Sequence, residues 1–192
     1  MNKIKENSIF SVRSMVFIAI FAAIICIAAP FSVPLPGLIP ISLATFAVYL
    51  AGALLGAKRG TIAVIVYILL GAVGLPVFSG FAGGFAKLLG VTGGYIIGYI
   101  PCALITGVFA DMQSGKKALT MPVGMILGTL ACYVFGTAWF IIFTGSDIVS
   151  ALVNCVVPFL VGDAIKIAAA TAISAPLKSR LSGIMYGVRS AK

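Results

Sequence analysis

The stretch Val161-Gly162-Asp163-Ala164-Ile165-Lys166 places an acid and a base three residues apart within an apolar part of the chain. Residues three apart lie on the same face of a helix. A charge at the centre of a membrane helix costs about 2.5–3.5 kcal/mol on insertion scales. An ionisable pair in such a helix is therefore a candidate functional site, and the rest of the sequence indicates what kind of protein surrounds it.

The composition around this pair is that of an integral membrane protein. Of the 192 residues, 61% are hydrophobic and only 9% are charged, which no soluble domain of this size matches. We expect a single membrane domain over residues 1–192. The net charge of +9 fits basic loops on the cytoplasmic side better than nucleic-acid binding. The chain has no histidine, and its four cysteines stand alone, so neither an enzyme nor a metal site is expected.

Apolar stretches predict an all-α bundle of six transmembrane helices, at about 10–29, 41–57, 61–75, 95–110, 120–143 and 157–177. Residues 1–29 also resemble a signal peptide, but we expect a retained helix. A last helix from residue 147 to 177 would be roughly 46 Å long, more than the ~30 Å hydrocarbon core. Proline suits the first turn of a helix, and Pro158 therefore predicts that helix 6 begins at 157. Residues 144–156 are then predicted to form an outer loop with a short interfacial helix.

The basic residues predict the orientation of this bundle. Eleven of the thirteen lie in the N-terminal segment, the helix 2–3 loop, the helix 4–5 loop and the C-terminal tail. These segments share one side of a six-helix model, so the positive-inside rule puts both termini in the cytoplasm. Asp163 and Lys166 then lie towards the outer face.

The chemistry of the pair suits a small ligand with N–H donors and an oxygen acceptor, since aspartate accepts and lysine donates hydrogen bonds. A structural ion pair and a proton relay are the alternatives. The chain has no Walker-type phosphate loop. If ATP drives transport, another subunit must therefore bind it.

Three further features are candidate ligand contacts. Thr92-Gly93-Gly94-Tyr95 opens helix 4, where glycines permit close approach of a ligand or of another helix. Lys87 is the lone basic residue of the outer loops and could hold a carboxylate, or be merely solvated. Asn154, just before helix 6, could cap that helix or reach the ligand.

Helix 1 carries a separate feature, the small-residue pair Ala19 and Ala23. Small residues four apart permit close helix approach. The pair serves either packing within this bundle or a partner subunit.

Four motifs taken together make the sequence resemble the BioY family, the biotin-specific substrate-binding (S) components of energy-coupling-factor (ECF) transporters. These motifs are Thr45–Gly56, Leu70–Phe78, Gly90–Tyr95 and Gly162–Lys166. The resemblance implies six membrane helices, cytoplasmic termini and high-affinity capture of biotin from outside, in a bacterial plasma membrane. It implies as partners a transmembrane coupling subunit and two ATPase subunits, and no cofactor beyond the transported biotin. It also implies that Ala19 and Ala23 face the coupling subunit, and that Asp163 and Lys166 belong to the biotin site.

Biotin fits the chemistry expected of the pair. Its ureido ring has two N–H donors and a carbonyl, and its tail ends in a carboxylate. We expect Asp163 to accept a ureido N–H and Lys166 to serve either the ureido carbonyl or the carboxylate, with Phe31 and the Phe78–Phe85 region as lids. The alternatives are an S component for another vitamin and a stand-alone proton-coupled transporter.

Overall fold

The computed structural model describes residues 11–33, 39–112 and 117–186. Within these residues the chain forms seven α-helices and one small antiparallel sheet. The elements in chain order are α1 (Val12–Ala28), β1 (Ser32–Val33), β2 (Ile41–Ser42), α2 (Ala44–Ala72), α3 (Phe85–Leu89), α4 (Gly93–Asp111), α5 (Lys117–Thr144), α6 (Ile148–Cys155) and α7 (Val157–Tyr186).

Length and composition make this a helical membrane protein, as predicted. Four helical segments of the described chain are long and apolar enough to cross a membrane, namely Ala44–Ala72, Gly93–Asp111, Leu119–Thr144 and Ile148–Lys178. Helix α1 is a shorter apolar helix. Large apolar side chains are exposed on the outer faces of these helices, as expected where a protein contacts lipid.

Helix α2 folds back on itself at Gly56, whose φ of 82° and ψ of 179° are not helical. A Cβ added to Gly60 would lie 2.7 Å from the carbonyl oxygen of Ala51. Residues nine apart in a straight helix would be separated by about 13 Å. The segments 44–55 and 57–72 are therefore two packed helical halves. They correspond to the predicted helices 41–57 and 61–75, but the turn lies at Gly56 rather than at 58–60.

Polar contacts join this turn of α2 to the end of α4, the start of α1 and the late part of α7, all on one side of the bundle. Asp111, at the end of α4, accepts a hydrogen bond from the Ala57 N–H at 2.9 Å and one from Lys178 Nζ of α7 at 2.8 Å. Arg59 donates through Nε to Ser14 Oγ, in the first turn of α1, at 3.0 Å. The turn of α2 thus lies beside the start of α1 and the late part of α7.

The opposite side of the bundle holds the β1–β2 pair and both ends of α2. Ser32 pairs with Ser42 across the two strands. The Ser42 hydroxyl donates to the carbonyl of Ala29 at 2.7 Å and accepts from the Ala44 N–H at 3.0 Å. This serine joins the end of α1 to the start of α2. Residues 34–38 of the proline-rich loop lie outside the described residues.

Helices α6 and α7 divide the last apolar stretch at Val156, whose backbone is not helical. Asp147 caps α6 by accepting from the Ser150 N–H at 3.1 Å. Hydrogen bonds from Ser150 lower the pKa of Asp147. Helix α7 begins at Val157 but extends to Tyr186 rather than 177. It continues past the apolar stretch through Pro176, and Lys178 then pairs with Asp111.

Candidate functional site

A cavity of about 50 Å³, which opens towards the surface, lies at the β1–β2 end of the bundle. Its wall is mostly apolar and aromatic, with a few polar groups. The lining residues are Ile39, Pro40, Ser42, Ala44, Thr45, Tyr67, Ser79, Thr92, Tyr95, Ile96, Tyr99, Thr129, Cys132, Tyr133, Phe159, Asp163 and Lys166.

The predicted ion pair is present in this wall. Lys166 Nζ lies 3.0 Å from Asp163 Oδ1, and the two side chains are 11% and 5% exposed. Helical spacing on α7 brings the two groups together. A charged pair is therefore held almost out of water beside a cavity.

Three other elements complete the hydrogen bonding of this pair. Lys166 Nζ donates to the Ser42 carbonyl at 2.8 Å and to Thr45 Oγ1 at 3.0 Å, as well as to Asp163. These contacts match the three donors of an ammonium group. The Thr45 hydroxyl donates a hydrogen bond to Asp163 Oδ1 at 3.3 Å. The Tyr133 hydroxyl donates one to Asp163 Oδ2 at 2.6 Å. The pair thus joins α7 to β2, α2 and α5.

Two more of the predicted ligand contacts, Thr92 and Tyr95, also line the cavity. The Tyr95 hydroxyl donates to the Cys155 carbonyl at 3.1 Å and lies 3.3 Å from Thr137 Oγ1. It therefore ties α4 to α6 and α5.

Four other predicted contacts lie outside the cavity wall. Gly93 and Gly94 are buried, and a Cβ on either would collide with Leu88 or Trp139 respectively. These glycines permit close packing, which was the alternative interpretation of the motif. Asn154 is exposed on α6, and Lys87 is half-buried on α3.

Phe31 and the Phe78–Phe85 region were predicted as lids, and in the structure this region contains both exposed and buried aromatic residues. Phe31 is exposed and makes an edge-on contact with Phe81, with ring centroids 5.7 Å apart. Phe78 is fully buried and lies edge-on to Tyr67 at 5.6 Å. Phe78 therefore supports a cavity residue from behind, whereas the Phe31–Phe81 pair lies at the surface.

The cavity also contains polar residues that the sequence analysis did not select. On α5, Thr129 and Tyr133 line the cavity, and Thr137, which is outside its wall, continues this series of buried residues four apart. Such spacing forms one inward face, and this polar stripe in an apolar helix was the signal available to find them. Tyr95 and Tyr99 repeat the pattern on α4.

Ser79 is a further cavity residue without a sequence signal. Its hydroxyl oxygen is buried and has no hydrogen-bond partner among the described residues. A buried polar group normally has such a partner. A ligand in the cavity could supply one.

A second cavity, an apolar groove of about 410 Å³ at the protein surface, lies between α5 and α7. It shares Thr129, Tyr133 and Asp163 with the first cavity. These three residues consequently form a wall between the first cavity and the apolar groove.

The small-residue pair of α1 faces away from the bundle. Ala19 and Ala23 are both exposed, whereas Ala22 and Ile25 are buried against the other helices. Ala19 and Ala23 therefore do not contribute to packing within this chain, which was one of their two predicted roles.

Comparison with known proteins places this architecture in a family. The model of the BioY family matches residues 1–183. The probable biotin transporter BioY of Pyrococcus horikoshii is 38% identical over 167 residues, covering 86% of this chain and 96% of the relative. The biotin transporter BioY of Thermotoga maritima is 39% identical over 166 residues, with the same coverage of 86% and 96%.

A crystal structure of the S component for biotin from an ECF-type ABC transporter superposes with a TM-score of 0.81. It is 28% identical in sequence, and the match covers 93% of this chain and 94% of that one. Family model, relatives and structure all agree with the resemblance carried by the four motifs. The chain therefore belongs to the BioY family.

Proposed function

We propose that this chain is the biotin-binding S component of an ECF transporter, capturing biotin at the outer face of the membrane with high affinity for ATP-driven uptake. The observation that carries the proposal is the buried Asp163–Lys166 pair in the wall of an aromatic-lined cavity. Membership of the BioY family supports biotin as the ligand. The similar proteins are called biotin transporters, and the similar crystal structure is of an S component for biotin.

Asp163 is the proposed acceptor for a ureido N–H of biotin. An ionised carboxylate only accepts hydrogen bonds, and a site with little water strengthens them. The apolar thioether ring of biotin would pack against aromatic cavity residues such as Tyr67, Tyr99 and Phe159. Thr92 and Tyr95 remain proposed contacts in the same wall.

Lys166 has a different proposed role from the one expected from sequence. Its three donors already reach Ser42, Thr45 and Asp163, so it would contact biotin only by giving up one of them. We infer that it mainly neutralises Asp163 and holds β2 against α7. The buried Ser79 hydroxyl is free to donate to a ligand oxygen in its place. Biotin titration of Ser79→Ala, with a weaker affinity expected, tests this assignment.

The remaining predicted contacts lie outside the cavity wall, and we assign them no direct contact with the bound ring system. Gly93 and Gly94 act through helix packing. Phe78 acts by supporting Tyr67. Lys87, Asn154 and Phe31 remain predictions, and the same biotin titrations on their alanine variants test them.

The proposed topology has six transmembrane segments in a single membrane domain, with both termini in the cytoplasm. The fold-back of α2 at Gly56 supports six, because it turns one long helix into two antiparallel halves. The basic residues Arg59 and Lys178 cluster at the turn of α2, which the positive-inside rule assigns to the cytoplasm. The cavity then opens to the outside of a bacterial plasma membrane.

The proposed partners are a transmembrane coupling subunit and two ATPase subunits. Exposure of Ala19 and Ala23 on α1 supports a helix–helix contact there, because small residues let two helices approach closely in lipid. Replacing both alanines by leucine should abolish co-purification with the coupling subunit and leave biotin binding intact. Unchanged co-purification would remove this face from the proposal.

The experiment that tests the proposed function is mass spectrometry of the purified protein. The protein, expressed in cells supplied with biotin and solubilised in detergent, should carry biotin in about equimolar amount. Another bound vitamin would reassign the ligand. Biotin uptake by the protein alone in liposomes, abolished by an uncoupler, would favour the proton-coupled alternative.

A further inference from the structure

We propose that Tyr133 is a positioning residue that sets the ligand specificity of Asp163, by occupying one acceptor position of Oδ2 and leaving a single position for a ligand N–H. This inference rests on the proposed function and deepens it. Tyr133 lies on α5 and was not selected from the sequence.

The hydrogen bonds of the Asp163 carboxylate carry the argument. A carboxylate has about four lone-pair positions, two on each oxygen. Oδ1 accepts from Lys166 Nζ at 3.0 Å and from Thr45 Oγ1 at 3.3 Å. Oδ2 accepts from the Tyr133 hydroxyl at 2.6 Å. Of the four positions, the second on Oδ2 is the one without a partner among the residues that the structure describes.

The hydrogen bond from Tyr133 determines which of the two acceptor positions on Oδ2 remains for a ligand. Its short O···O distance is typical of a charge-assisted hydrogen bond, and the phenol proton is committed because an ionised aspartate donates none. Tyr133 and Asp163 both form the wall between the cavity and the apolar groove. With its hydroxyl on Oδ2, Tyr133 holds the carboxylate so that the remaining position serves the ligand.

This arrangement predicts selectivity for a ligand that brings one N–H to Oδ2. A methyl group on that nitrogen removes the donor, places a bulky group against Oδ2 and leaves its second acceptor position without a partner, which is costly. A methyl group on the second ureido nitrogen does not affect Oδ2. The site should therefore distinguish two biotin analogues, each methylated at one ureido nitrogen.

The test is titration calorimetry of the purified full chain in detergent with biotin and both analogues. For the parent, methylation at one nitrogen should weaken binding about 10- to 100-fold, well beyond the effect at the other nitrogen. We call the loss of affinity caused by methylation at the first nitrogen, relative to biotin, the methyl penalty. In Tyr133→Phe, biotin should bind about tenfold more weakly than to the parent. The methyl penalty should fall to within about threefold, because the carboxylate is no longer fixed.

Tyr49→Phe is the matched control. The Tyr49 hydroxyl is buried and bonded to Thr129 Oγ1 at 2.5 Å, but Tyr49 does not line the cavity. Its loss should leave both the affinity and the methyl penalty unchanged. Replacement of Tyr133 by 4-aminophenylalanine keeps a donor in the same place and should keep the penalty, whereas 4-methylphenylalanine should lose it. This second pair carries the test should Tyr133→Phe fail to fold.

Two results would overturn the inference while leaving the proposed function intact. One is a methyl penalty as large in Tyr133→Phe as in the parent, which would make Tyr133 only a structural residue. The other is a parent that binds biotin but tolerates both methylated analogues equally. A parent that does not bind biotin at all would instead defeat the proposed function, and this inference with it.

Discussion

Lys166 is the only cation that the described structure places on the buried carboxylate of Asp163. Removing one member of a buried pair leaves a charge without compensation, which costs far more than the pair contributes in net stability. The stability of this part of the bundle should thus depend on Lys166 even before any ligand binds.

We expect Lys166→Ala to lower the free energy of unfolding by about 3–5 kcal/mol, measured by thermal or denaturant unfolding in one detergent. The double variant Asp163→Asn/Lys166→Met should recover most of this loss. Lys178→Ala is the control. Its partner Asp111 is 49% exposed, so its loss should cost about 0–1 kcal/mol. A Lys166→Ala protein as stable as the parent would contradict this assignment.

At this scale the sequence predicted the acid and the base but not their partners. Asp163 and Lys166 are neighbours in sequence, and helical spacing alone brings them together. Thr45 and Tyr133 are 118 and 30 residues away from Asp163. Only the packing of α2 and α5 against α7 brings them to the carboxylate, and a single sequence does not specify that packing.

Among the helices, the fold-back of α2 decides the shape of the cavity. Thr45 lies in its first turn and Tyr67 near its end, yet both line the same cavity. Only a reversal of the helix brings these two residues to one side of the bundle. The reversal depends on the positive φ of 82° at Gly56, a backbone conformation that L-residues rarely adopt.

We expect Gly56→Ala to destabilise the protein by about 1–3 kcal/mol, the usual cost of a strained backbone at a non-glycine residue. The added Cβ would also collide with the Asp111 carboxylate that caps Ala57. Gly162→Ala is the control, since a Cβ there meets nothing within 4 Å. It should be neutral or stabilise α7 by up to about 1 kcal/mol. Equal unfolding temperatures for the two variants would argue against a required turn at Gly56.

Helix positions were largely predictable from apolar stretches, but the turn and one helix end were not. Lys58 and Arg59 were expected in a loop because they are charged. In the structure they are helical, since Arg59 is buried and bonded to Ser14. Similarly, α7 passes the predicted end at 177, and Lys178, the first residue beyond that end, pairs with Asp111. In both cases a basic side chain near the predicted boundary has a tertiary partner that the sequence alone does not reveal.

For the whole molecule, the proposed orientation puts the cavity outside and the turn of α2 in the cytoplasm. Two positions test it in a protein whose four cysteines have been replaced. The labelling sites are introduced by Lys87→Cys, at a position on α3, and by Ile184→Cys, at an exposed position near the end of α7. A membrane-impermeant maleimide should label position 87 in intact cells, and position 184 only after permeabilisation. Labelling of position 184 in intact cells would contradict cytoplasmic termini.

The most direct test of the whole account is the affinity of Asp163→Asn for biotin, measured by titration calorimetry beside Asp111→Asn. The two variants make the same chemical change to a carboxylate paired with lysine, but only Asp163 lines the cavity. Asp163→Asn should weaken biotin binding by at least about tenfold, because a charge-assisted hydrogen bond is lost, and Asp111→Asn should bind as the parent does. Equal affinity of Asp163→Asn and the parent would contradict the proposed site.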